Sequence, residues 1–129
     1  MSTTKEDHTH THTLPGFGLD IPIFARLYDF YKTLSQFLDN FPKAKRYTLG
    51  QKIDKTTLDI IELVITAGYL SREQKLPILQ KVSIKLDLLK ILLRLSQETK
   101  CLDNNKYQHL TSFTVEIGKM LGGWIKTVR

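Results

Sequence analysis

Residues 79–95 read LQKVSIKLDLLKILLRL, and the spacing of the aliphatic residues in this stretch decides the fold. At 100° per residue, Leu79, Val82, Leu86, Leu89 and Leu93 share one arc of a helix. Ile84, Leu88, Ile91 and Leu95 fall on a second arc nearly opposite, with Leu92 just beyond it. The first arc is the seam of a helical bundle. A bundle buries only one face of each helix, so the second arc would leave a contiguous apolar strip in water, at ~25 cal/mol for each Å². Ile84, Leu88, Ile91, Leu92 and Leu95 are therefore expected to form an interface between copies of the chain. The alternative is cover from another helix or from the N-terminal segment of the same subunit. One wedge between the arcs carries Lys90 and Arg94, four residues apart and so stacked on one face, while Lys81 and Lys85 flank the other side.

Working outward, the same 3–4 periodicity predicts three more helices. Asp20 is placed to cap a first helix with Pro22 in its opening turn. Phe24, Leu27, Tyr28, Tyr31, Leu34, Phe37 and Leu38 form its apolar stripe, to about Asn40. Pro42 can open a second helix reaching about Tyr69, where Leu49, Ile53, Thr56, Ile60, Leu63 and Ala67 repeat as a seam and Gly68 supplies a stop signal. Ser71-Arg72-Glu73-Gln74 has capping-box spacing ahead of a third helix running to about Lys100. Asp103 caps a fourth, with Tyr107, Leu110, Thr114, Ile117, Leu121 and Trp124 on its stripe. Short connections make consecutive helices antiparallel, which predicts an all-α, up-down-up-down four-helix bundle over residues 21–129. Residues 1–20, polar and then punctuated by Pro and Gly, show no helical or strand period and are expected to form a flexible arm.

With 129 residues there is length for one domain and one core. The net charge of +6 is uneven: residues 41–129 hold 16 of the 19 basic side chains but 8 of the 13 acidic ones. That excess favours polyanionic partners through Coulomb attraction and counterion release. Lys43, Lys45, Arg46, Lys52 and Lys55, at the start of the second helix, form a second basic candidate beside Lys90, Arg94, Lys81 and Lys85. No apolar run approaches the ~20 residues of a membrane span and none resembles a secretion signal, so a cytoplasmic location is expected.

Catalytic signatures are missing: there is no phosphate-cradling Gly-rich loop and no HExxH zinc motif. Cys101, the one cysteine, precludes an intrachain disulfide. Cys101 and His109 could meet by accident of spacing, yet nothing announces an oxyanion site or an orienting partner. His8, His10 and His12 alternate with threonines, a pattern that picks up metal adventitiously. No catalytic residue, resident metal or cofactor is expected. Gly118 and Gly122 suggest a close helix crossing, within or between subunits.

Phe41-Pro42-Lys43-Ala44-Lys45-Arg46-Tyr47-Thr48-Leu49-Gly50-Gln51-Lys52-Ile53 resembles the small four-helix-bundle proteins encoded in ribosomal RNA intervening sequences. A sharper likeness comes from Leu88-Leu89-Lys90-Ile91-Leu92-Leu93-Arg94-Leu95 together with Glu116-Ile117-Gly118-Lys119-Met120-Leu121-Gly122-Gly123-Trp124-Ile125. These stretches resemble the accessory variability determinant (Avd) proteins of diversity-generating retroelements, over roughly residues 21–127. The resemblance implies a homopentameric barrel of bundles that binds the retroelement reverse transcriptase and nucleic acid, either template RNA or its cDNA, and so supports mutagenic retrohoming. It implies no polymerase activity of the chain's own. Carried over to this sequence, the basic face of the third helix is Lys90 and Arg94. The alternative reading is a structural or ribosome-associated module of the intervening-sequence type, without a polymerase partner. Since the fold is expected to rest on residues 21–129, deleting residues 1–18 should leave the melting midpoint unchanged.

Overall fold

The computed structural model describes residues 21–129. The arm expected over residues 1–20, the Asp20 cap and the three alternating histidines lie outside the described residues. Helix α1, Pro22–Leu38, starts after an extended Ile21 and has Pro22 in its first turn, where a missing N–H leaves no bond unmade. Its buried face is Ile23, Phe24, Leu27, Phe30 and Leu34. Of the expected stripe, Phe24, Leu27 and Leu34 are buried, Tyr31, Phe37 and Leu38 are half-buried and Tyr28 is exposed, while Phe30, outside the expected stripe, is fully buried; Tyr31 sits at the margin because its hydroxyl reaches a polar partner.

Helix α2 is a continuous run in three parts: an α-turn Lys43–Lys45, a π-helical turn Arg46–Gly50 and a regular stretch Gln51–Tyr69. The π turn inserts about one residue, so side chains before it are rotated relative to an unbroken helix. Gly50 is buried beneath it, against Phe41 and Leu38. Beyond the turn the core face is Ile53, Thr56, Thr57, Ile60, Val64 and Ala67; Leu49 and Leu63, expected at the seam, are half-buried at its margin. A heptad spacing drifts around a helix of 3.6 residues per turn, and Val64 takes the place assigned to Leu63. The buried Thr57 hydroxyl donates to the carbonyl of Ile53 at 2.9 Å, which satisfies it within its own helix. Gly68 lies inside the last turn and does not end α2. The ammonium of Lys75 caps it instead, donating to the carbonyls of Ala67 and Leu70, each at 2.7 Å.

Helix α3, Arg72–Glu98, opens with the expected Ser71–Gln74 capping box. Its inner face buries Leu79, Val82, Leu86, Leu89, Leu93 and Ser96. It ends in a Schellman turn in which Lys100 N–H donates to Gln97 and Cys101 N–H to Ser96. Lys100 there takes a left-handed φ of 68°, the position that glycine usually fills. Asp103 accepts from the N–H of Lys106 at 2.8 Å and starts helix α4, Asn104–Val128, which buries Leu110, Thr114, Ile117 and Leu121.

Each helix runs antiparallel to its neighbours around the bundle. Arg26 meets Glu116 and Phe30 meets Phe113, pairing α1 with α4 head to tail. Tyr31 reaches Asp54 across α1 and α2, and Lys85 reaches Asp59 across α2 and α3. Leu86 and Lys90 face Gly118 across α3 and α4. The described residues are therefore an all-helical four-helix bundle with no strand. Around Gly118 and Gly122 there is no unusually close crossing within the chain: a β-carbon at Gly118 would make ordinary contacts and one at Gly122 would meet nothing within 4 Å.

Two stability measurements check this packing. Leu89 is fully buried at the centre of the α3 seam, so Leu89→Ala should cost about 2–5 kcal/mol in urea unfolding. Lys100→Gly should instead raise stability by roughly 0.5 kcal/mol, since the relief of a left-handed side chain exceeds the extra unfolded-state entropy of glycine.

Candidate nucleic-acid interface

The outward side of α3 carries the charge. Lys90 and Arg94 are both exposed and one helical turn apart. Arg94 Nε donates to Glu98 Oε2 at 3.2 Å, an exposed pair of the kind worth at most about 1 kcal/mol, so a polyanion can compete for it. Lys90 makes no ion pair among the described residues. It borders a small groove between α3 and α4 with Tyr107, Thr111 and Val115. Lys81 is exposed and also without a salt bridge among the described residues.

Lys85 and Lys55 stand differently, because both converge on Asp59. Lys55 Nζ lies 3.1 Å and Lys85 Nζ 3.4 Å from its carboxylate. The hydrogen bond from Lys55, reinforced by Lys85, holds the Asp59 carboxyl below its ordinary value despite an opposing desolvation effect. Two cations sharing one anion leave a single net charge at this junction of α2 and α3.

The first turns of α2 form a second basic cluster. Lys43, Lys45, Arg46 and Lys52 are exposed, and Arg46 Nη2 donates to the carbonyl of Asp39 at 2.9 Å, which ties the π turn to the end of α1. Tyr47 stands among them with 63% of its surface exposed. Charge counting passes over it, although KAKRYTLGQK already interleaves an aromatic ring with cations.

The apolar strip on α3 is largely where helical phase puts it. Ile84, Ile91 and Leu95 are exposed by 69%, 58% and 42%, and Leu88 is half-buried. Leu92 departs from the expectation: it is buried in the core of its own subunit, because its place beyond the second arc turns it toward the packed side. A further apolar strip, not anticipated from the sequence, lies on the outer face of α2. Leu58 and Tyr69 are exposed there, with half-buried Ile61 and Ile65 at helical spacing between them. The signal that could have found it is the 3–4 spacing of these four residues, which runs out of phase with the seam of the same helix.

Cys101 and His109 are not joined by a hydrogen bond among the described residues. Cys101 Sγ lies 3.5 Å from Thr99 Oγ1, whereas the His109 ring packs edge-on to Phe113 and beside Phe37. Also among the described residues, no three His, Cys, Asp or Glu side chains cluster to hold a metal ion, and no helix is long and apolar enough to cross a membrane.

Compared with known proteins, residues 23–128 match the family described as bAvd-like. The chain belongs to the bAvd-like family. The match spans nearly all of the four-helix bundle, including both basic clusters and both outer apolar strips, and it makes this an Avd-type accessory protein. No curated protein matches the chain.

The Asp59 junction gives a pH test. Its carboxyl is lowered in the folded state, so the stabilisation is complete above the ordinary carboxylate value and is lost as pH falls through the folded one. Asp59→Asn should therefore lower the melting midpoint at neutral pH, with the difference from the parent shrinking in acid.

Proposed function

We propose that this bAvd-like protein acts as the non-catalytic accessory subunit of a diversity-generating retroelement, docking the reverse transcriptase and holding template RNA or its cDNA during mutagenic retrohoming in the cytoplasm. The observation that carries this reading is the exposed Lys90–Arg94 step beside the apolar strip of α3, within a bundle that matches the family over residues 23–128. Lys43, Lys45, Arg46, Lys52, Lys55, Lys81 and Lys85 extend the same electrostatic surface.

Assembly into a closed ring would strengthen the charge argument. Ile84, Leu88, Ile91 and Leu95 on α3 and Leu58, Ile61, Ile65 and Tyr69 on α2 are two different strips, separated by the polar Lys55, Asp59 and Glu62. Two unlike patches favour a head-to-tail contact, which closes into a ring when the rotation allows. The resemblance implies five subunits, and a ring would repeat Lys90 and Arg94 around its circumference. Leu92 takes no part in this interface, since its own core holds it.

Co-purification of the tagged protein with the reverse transcriptase encoded beside it tests the reading. A stoichiometric complex that weakens with salt is expected, and its absence at low salt would overturn the proposal. Lys90→Ala with Arg94→Ala should weaken nucleic-acid binding and flatten its log-log salt dependence by about 0.7–0.9 for each phosphate no longer neutralised. Ile84→Glu with Ile91→Glu should reduce the mass seen by light scattering to that of one chain while helicity persists; an unchanged mass would place the subunit contact elsewhere.

A further inference from the structure

The π-helical turn Arg46–Gly50 lies at the end of the bundle opposite Ile21, and a cleft of about 250 Å³ opens beside it between the end of α1 and α2. Typical pockets for drug-sized ligands span about 300–1,000 Å³, so this one suits a single ring system. Its lining includes the exposed Tyr47, the aliphatic Leu38, Gln51, the acidic Asp39 and Asp54, and the basic Arg46, which also ties the two helices together. Asp54 is positioned by the Tyr31 hydroxyl, which donates to Oδ1 at 2.6 Å. A carboxylate offers about four lone-pair sites, so acceptor capacity remains on Asp54 after that bond.

The cleft and its surroundings differ in charge. Two acidic residues and one arginine line the cleft, a net negative balance, while Lys43, Lys45 and Lys52 stand exposed around the same turns of α2. Phosphate is therefore favoured at the exposed lysines over the cleft. A ligand with a flat, uncharged, N–H-bearing ring and a phosphate chain outside it satisfies both zones. We infer that this cleft receives one unpaired base of a single-stranded nucleic acid, with Tyr47 as the stacking surface and Asp54 as the acceptor that reads the base edge.

This inference rests on the nucleic-acid part of the proposed function and narrows it to single strands. Aromatic rings beside a cationic track are the usual platform for unpaired bases, because every base has a π-face, whereas a duplex keeps its bases stacked and paired. The acceptor adds a preference. Guanine presents adjacent N1–H and N2–H donors on its Watson–Crick edge and can give both to a carboxylate, while uracil has one donor between two carbonyls. The sugar plays no part, so RNA and single-stranded DNA are read alike.

Fluorescence anisotropy on the full chain, with short uracil-rich or thymine-rich strands carrying or lacking unpaired guanines and a duplex of the same length, tests the inference. Tyr47→Ala should weaken binding to both RNA and DNA single strands about tenfold and leave duplex binding unchanged, whereas Tyr47→Phe should bind as the parent does. Asp54→Asn keeps an acceptor oxygen for Tyr31 and should bring the ratio of affinities for guanine-bearing and guanine-free strands down to about one; an unchanged ratio overturns the role of Asp54. Parent-like binding of single strands by Tyr47→Ala overturns the cleft. If binding still falls on replacing Lys90 and Arg94, the broader nucleic-acid reading survives that result. A parent protein that binds no nucleic acid at low salt overturns both.

Discussion

The inner seam of α3 is the contact on which the rest of the molecule depends. Leu79, Val82, Leu86, Leu89 and Leu93 press one helix against α2 on one side and α4 on the other, so a single stripe joins the two halves of the bundle. α1 closes the remaining gap between α2 and α4, where Phe30 packs against Phe113 and Tyr31 against Asp54. Because the seam fixes the rotation of α3 about its axis, it also fixes what the opposite side shows to water. Ile84, Ile91 and Leu95 cannot turn inward without turning Leu86 and Leu93 out. The outer apolar strip and the neighbouring Lys90 and Arg94 are thus consequences of core packing.

Electrostatics divides the basic residues into two kinds. Lys55, Lys85 and Lys75 are engaged inside the fold, the first two with Asp59 and the third with the open carbonyls that end α2. Lys43, Lys45, Lys52, Lys81 and Lys90 make no ion pair among the described residues. Net charge alone ranks these groups equally. The distinction appears only when the helices are packed, since a pairing such as Lys85 with Asp59 joins residues far apart in the chain.

The four helices were legible from 3–4 spacing, and their ends were legible wherever side chains do the capping, as at Ser71–Gln74 and Asp103. Ends made by tertiary contacts were not. Gly68 has the look of a terminator, but Lys75 ends α2 from the following helix. Leu92 reads as outward on a wheel because a wheel has no neighbours; in the bundle, its edge position is swept into the core. The candidate site was half legible. Lys90 and Arg94 follow from helical phase alone, whereas Tyr47 and the cleft beside it depend on a π turn that no spacing rule announces.

That turn also makes Arg46–Gly50 the place where the bundle tolerates changes in length. It already accommodates about one surplus residue between the Phe41-Pro42 entry and the core face that begins at Ile53. Removing that one residue converts the π turn to a regular α-turn and keeps both sides in phase, with Ile53, Ile60 and Val64 in the core and Lys43 and Lys45 exposed. A one-residue deletion at this point therefore alters the turn that carries Tyr47 while leaving the hydrophobic core in register.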